Sequence, residues 1–324
     1  MKKILFVLSI LFCALASAQT EEDQGRISIK ALMLDESDLT TNASSQLETK
    51  MQRLLADNGY ADDKYAARFI MTAKVDVISK DIAPSTPPRV SEKIDVTFFV
   101  GDIIENKVYA SVTIKVTGVG INENKAQIAA INNVNPRQQK LKEMLSDAKS
   151  KIVDYYTNNC NEQIMHAKTM ASLGNYDQAI AYLMSVPNIS SECFNECQQT
   201  SINIYQQKID AEGLNLFEKA KNDWLKNSNY DGAVEVVSII NEIPINSSVY
   251  PQVEELRKKI KDKLDADEQR KLEQEQHEWD FKMKQYNDAQ SNKQMAIKAC
   301  RDISVAWAKN QPKNITQAII RGWW

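Results

Sequence analysis

Between about Asn161 and Leu264 the chain repeats itself, and a repeated helical pattern confines it to stacking copies of one unit. The first copy runs Ala167-Lys168, then Leu173-Gly174-Asn175-Tyr176-Asp177-Gln178-Ala179-Ile180, then Val186-Pro187 and Ser190-Ser191. The second runs Ala220-Lys221, then Asn229-Tyr230-Asp231-Gly232-Ala233-Val234, then Ile243-Pro244 and Ser247-Ser248. The offsets are 53 residues at Ala-Lys, 54 at Asn-Tyr-Asp and 57 at the proline and the serine pair. One extra residue in a turn and one extra helical turn before the proline account for the drift. Each copy reads as three helices: 161–173, 176–185 and 191–209, then 212–227, 230–243 and one starting near Ser248.

The repeated residues have legible jobs. Gly174 and Asn175 permit a tight turn, and Ala179 and Ala233 let helix backbones approach closely. Tyr176 and Tyr230 fill the space between neighbours, and Pro187 and Pro244 end the second helix of each copy. Truncating either tyrosine to alanine is expected to cost about 3–5 kcal/mol through a cavity. The Gly174, Tyr176, Ala179 pattern resembles tetratricopeptide repeats, which carry Gly-x-Tyr-x-x-Ala at the same turn. Ser228 replaces the glycine in the second copy, and the 54-residue spacing departs from that family's 34. The resemblance implies a tetratricopeptide-like region with an added helix, binding a protein or peptide on a concave face.

The amino-terminal half alternates differently. Ile27, Ile29, Ala31 and Met33 suggest a strand, and Ser44 to Asn58 suggests a helix with Leu47, Met51, Leu54 and Leu55 on one face. Three further strands follow, through Phe69–Val77, Ile94–Val100 and, after a Glu105-Asn106 turn, Val108–Val116. Helices over 122–134 and 137–156 complete a β-α-β-β-β-α-α order, expected as an open antiparallel sheet with helices on one face. The Ala83–Pro88 segment, with three prolines, reads as a stiff hairpin tip. Gly118-Val119-Gly120 lacks the third glycine of a phosphate loop and places Glu123 where an anion would sit, so it reads as a strand-to-helix turn. The Thr117–Gly120 run, followed by Ala126, Ala129 and Ala130, is similar to the small α+β domains of bacterial envelope assembly lipoproteins, including the curli secretion lipoprotein and the amino-terminal TolB fold. That resemblance implies a fold and a compartment.

The expected fold class is therefore α+β. Residues 1–18 read as a signal peptide, 26–156 as a sheet domain, 157–264 as tetratricopeptide-like repeats, and 265–324 as a long charged helix with a tryptophan-rich tail. The signal peptide is expected from Lys2-Lys3, the apolar run Ile4–Ala16 and the small residues before Gln19. Cys13 follows Phe12 rather than the small residue of a lipobox, so it belongs to the removed leader. The remaining 38 basic and 43 acidic residues argue against a nucleic-acid partner, which would need a basic patch. Export to an oxidising compartment makes Cys160, Cys193, Cys197 and Cys300 disulfide candidates with three connectivities. Cys193 and Cys197 have helical ligand spacing, but four zinc ligands are not assembled.

No cofactor is expected, and no catalytic constellation stands out. His166 and His277 are the two histidines; His277-Glu278 lacks the second histidine of a zinc-protease helix, and Asp62-Asp63 reads as solvated loop charge. Trp323 and Trp324 end the sequence, either packed back on the protein or presented to a partner. The expected function is a non-catalytic periplasmic or outer-membrane-associated scaffold that binds a protein partner and has no transmembrane segment. A self-associating assembly or secretion accessory is the alternative, and an enzyme the last choice.

Overall fold

The computed structural model describes residues 27–34, 39–60, 68–84, 86–266, 268–273, 293–311 and 313–324. The leader, Asp62-Asp63, His277 and most of the expected long charged helix lie outside the described residues. The fold is α+β, and the described chain divides into two compact units. The first comprises Met1–Asn161, Ser185–Asn195 and Ala308–Trp324; the second comprises Glu162–Met184 and Glu196–Trp307.

In the first unit, β1 (Ile29–Ala31), β2 (Phe69–Ala83), β3 (Arg89–Asp102) and β4 (Lys107–Gly120) form a sheet in the order β1-β2-β3-β4. Helix α1 (Thr41–Asp57) separates β1 from β2, so the chain re-enters the sheet in the same direction and β1 pairs parallel to β2. The expectation of a wholly antiparallel sheet is thereby corrected: the sheet is mixed, with antiparallel pairing only from β2 onward. Alternation along the strands sends Met71, Val75, Ile94, Val96, Phe98 and Val100 to one face, all 5% exposed or less. Helices α1, α2 (Glu123–Asn132) and α3 (Gln139–Asn158) supply Leu47, Met51, Leu54, Ala126, Ile131, Leu141, Leu145 and Ile152 to the same buried core.

The glycines of the Gly118-Val119-Gly120 run do more than permit a turn. A Cβ on Gly118 would sit 2.0 Å from the Ala126 carbonyl oxygen, and one on Gly120 would sit 2.4 Å from the Ala126 nitrogen. Their bare backbone is what lets α2 pack directly on the last strand.

The second unit is helical. It contains most of α4 (Cys160–Ser172), α5 (Tyr176–Met184), most of α6 (Ser191–Lys226), α7 (Tyr230–Asn241), α8 (Tyr250–Lys263) and nearly all of α9 (Lys293–Lys309). A final helix, α10 (Lys313–Arg321), belongs to the first unit. Two helices were expected over 191–209 and 212–227, but α6 is one unbroken 36-residue helix. Gly213 lies inside it, where a single glycine costs only about 1 kcal/mol. Its Cβ would lie 2.2 Å from Ser247 Oγ, so the missing side chain makes room for the loop before α8. Asp210 Oδ1 accepts the Ser248 N–H at 2.7 Å, and Gln206 Nε2 donates to the Asn246 carbonyl at 2.7 Å, fastening that loop to α6.

Gly174 adopts φ +81°, the left-handed turn expected of it. Asn229 caps α7 by accepting the Gly232 N–H at 3.1 Å, and a Cβ on Gly232 would meet the Asn227 carbonyl oxygen at 1.9 Å. Ala179 and Ala233 are both fully buried. Tyr176 and Tyr230 are half-buried, and so are Pro187 and Pro244. Phe217, Ala220 and Trp224 of α6, Val236 and Ile240 of α7, and Val253, Leu256 and Ile260 of α8 share one apolar core, with Tyr230 packed on its margin.

Candidate functional site

The first unit carries a buried polar cluster at the end of its sheet. Arg68 stands immediately before β2 and Asp102 ends β3, so the ladder brings them together across 34 residues. Arg68 Nε donates to Asp102 Oδ2 at 2.7 Å, Nη2 to Glu105 Oε1 at 2.8 Å and Nη1 to Ser185 Oγ at 3.0 Å. Tyr156, from the last turns of α3, donates its hydroxyl to Asp102 Oδ2 and lies under the guanidinium, 4.9 Å from ring centroid to Cζ. Asp102 Oδ1 accepts the N–H groups of Ile104 at 2.8 Å and Glu105 at 3.1 Å, which shapes the turn into β4. Asn106, at φ +49°, completes that turn.

The Arg68 and Asp102 side chains are 2% and 0% exposed. Burial works against the Arg68 charge, but Asp102, Tyr156 and Glu105 outweigh it and hold the guanidinium protonated. Burial pushes the Tyr156 phenol far up; Arg68 opposes that shift and Asp102 adds to it. The Tyr109 phenol rises for the same first reason, burial, with Asp102 reinforcing it. A charge held this way is a fixed brace, and what it braces is the turn that delivers Lys107.

Beyond the brace lies an open groove of about 410 Å³, lined by Lys107, Val108 and Tyr109 of β4 and by Lys151, Asp154, Tyr155, Asn158 and Asn159 along and just after α3. Its floor is aromatic. Tyr155 lies 5.1 Å from Tyr156 and 6.1 Å from Tyr109, both edge-on, and Phe69 stands behind them. Lys107 Nζ hangs 3.8 Å from the Tyr155 centroid and 5.6 Å from that of Tyr109. Tyr155 is itself oriented by its hydroxyl, which donates to Glu105 Oε2 at 3.2 Å. Sequence reading missed every member of this constellation.

The two terminal tryptophans fall on the opposite face of the same sheet. Ile320 of α10 packs with Leu34 and Ile70, and Trp323 joins that cluster. The Trp323 indole N–H donates to Asn106 Oδ1 at 3.1 Å, and a Cβ on Gly101 would fall 2.7 Å from the indole ring. Gly101 is thus the seat of Trp323, again unsignalled in the sequence. The Trp324 ring stacks at 5.4 Å on Phe99 and stays 40% exposed.

Of the four candidate cysteines, Cys160 and Cys193 form a disulfide across 33 residues, while Cys197 and Cys300 are buried and outside it. Disulfide bonding removes Cys193 from the ligand pair considered with Cys197. Burial pushes the Cys300 thiol up to about 11, which suits a packing role rather than a nucleophile. His166 packs edge-on against Tyr182 at 4.9 Å, and Tyr182 donates to Gln163 Oε1 at 2.6 Å, placing that histidine in the packing of the helical unit. Glu123 is engaged by Lys80 at 2.5 Å. Among the described residues, no helix is long and apolar enough to cross a membrane. No protein-family model, curated protein or solved structure matches the chain.

Proposed function

We propose that the chain is an exported, non-catalytic scaffold of the bacterial cell envelope, whose tetratricopeptide-like helical unit binds a protein partner. The observation that carries this reading is the set of large apolar side chains left in solvent on that unit. Met165 is 68% exposed and Leu173 74%, while Leu214 and Leu225 are 47% and 71% exposed. Leu214 and Leu225 are eleven residues apart on α6, three helical turns within about 20° of one face. Two exposed leucines on one helix face, with the paired Glu218 and Lys221 between them, suit an amphipathic partner helix or segment. The Cys160–Cys193 disulfide supports an oxidising compartment.

The test is affinity capture by the mature chain from its own envelope fraction, run beside a Leu214→Glu/Leu225→Glu variant with an unchanged thermal melt. A partner retained by the parent at constant stoichiometry and lost by the variant supports the reading. Identical partners for both, or none for either, would overturn it.

A further inference from the structure

The last strand of the described sheet has a long outer edge with no strand beside it. In the order β1-β2-β3-β4, strand β4 pairs only with β3, so among the described residues no strand lies on the outer edge of its 14 residues. That edge contains no proline, and a long strand edge of this kind is a template for another extended chain. At the far end of the strand, Asn133 Nδ2 already donates to the Thr117 carbonyl at 2.8 Å. Its first three residues, Lys107 to Tyr109, line the groove between β4 and α3. An edge strand flanked by a helix, with a side-chain groove between them, is the arrangement in which peptides add as a further strand.

Charge identifies the guest. Lys107 is exposed, and among the described residues its ammonium faces two aromatic rings with no carboxylate in ion-pairing reach. The rings hold the charge in place without neutralising it. Lys151, on the helix wall, is taken by Asp147 at 2.8 Å. Asp154 and the carbonyl end of α3 also lie on that wall, and both repel an anion. The groove is therefore positive at its strand wall and negative at its helix wall.

We propose that β4 accepts an extended peptide as a fifth strand, and that an aspartate or glutamate of that peptide meets Lys107 across the aromatic floor. This goes beyond the partner proposed for the helical unit, because it engages other residues through backbone pairing.

The probe is a labelled ten-residue peptide of alternating threonine and serine with one central glutamate, titrated into the full mature chain by fluorescence anisotropy. Three companion peptides carry glutamine or lysine at the centre, or N-methyl groups on alternate backbone nitrogens. The glutamate peptide is expected to bind about fivefold more tightly than the glutamine one, the scale of an exposed ion pair. N-methylation, which removes donors along one edge, should weaken binding about tenfold. Lys107→Glu should reverse the preference in favour of the lysine peptide, and Lys107→Gln should abolish discrimination. The glutamine variant preserves the test if the acidic one unfolds. Equal binding of the glutamate and glutamine peptides would overturn the assignment. So would tolerance of N-methylation, binding of none of the peptides, or pairing of β4 with a second copy of the chain. A helical-unit variant that loses its partner leaves these readouts unchanged, so the two proposals fail separately.

Discussion

In the sheet unit, the groups that hold the core together come from distant parts of the chain. Arg68 reaches Asp102 across 34 residues, Tyr156 reaches it across 54, and Trp323 meets Asn106 across 217. In the helical unit, Tyr182 reaches Gln163 across 19 residues and Gln206 reaches Asn246 across 40, farther than Arg68 reaches to Asp102 but well short of Trp323. The chemistry differs as well. The sheet unit buries an ion pair that must be fully matched, whereas the α6–α8 core is built from apolar side chains. A matched buried charge fixes one arrangement because any other strands it, while an apolar helical core tolerates adjustment.

The sharpest way to break this comparison is to strand the charge. Asp102→Ala leaves Arg68 buried beside Glu105 with its Nε donor unmatched, and it also removes the acceptor for Tyr156 and for two backbone N–H groups. The expected cost is about 3–5 kcal/mol. Amide exchange followed by mass spectrometry should rise across β2–β4 and α3, with α7 and α8 unchanged. Replacing both partners, as Arg68→Met with Asp102→Leu, should cost less than the single change. A double variant no better than the single one would show that the pair contributes net stability rather than specifying geometry.

The corresponding assault on the helical unit should be milder. Tyr230→Ala was expected from its pattern to remove a filled interior and cost about 3–5 kcal/mol. The side chain is instead half-buried on the margin of the α6–α8 core, so about 2 kcal/mol is the expected loss. Denaturant melts give the number. A loss as large as that of Asp102→Ala would erase the contrast between the units.

The same contrast governs what could be read from the sequence. Turn residues act within a few positions of themselves, so the Gly174 turn and the close approach at Ala179 and Ala233 are legible from spacing, whereas the sequence marks the Asn229 cap only as part of the repeat. Strand alternation located β2, β3 and β4 because a buried face imposes period two. It could not show that β1 runs parallel, since direction depends on the crossover through α1. The groove was invisible for a similar reason: Lys107, Tyr109 and Tyr155 look like solvated or packing residues until the ladder and α3 bring them together. Gly101 gives no signal either, because its reason is an indole from the other end of the chain. Gly213 is silent in the same way, its small size serving Ser247.

The smallest expected effect comes from the other end of the sheet and raises stability. Glu92 is fully buried, and neither carboxylate oxygen has a hydrogen-bond partner. Burial raises its pKa, Glu123 adds to that shift and Lys80 opposes it. A carboxyl whose folded pKa lies above its unfolded value binds its proton more tightly when folded. The chain is therefore most stable with respect to Glu92 below the unfolded value, and it loses that stability as pH rises through the folded one. Glu92→Gln keeps the shape and removes the ionisation, so it should stabilise the chain by about 1 kcal/mol at neutral pH. The gain should vanish as pH falls below the ordinary glutamate range, near 4. Parallel urea melts of parent and variant at acidic and neutral pH measure both. An equal gain at the two pH values would mean that packing, not the buried charge, sets the effect, and the sheet unit would then hold its charge strain only around Arg68.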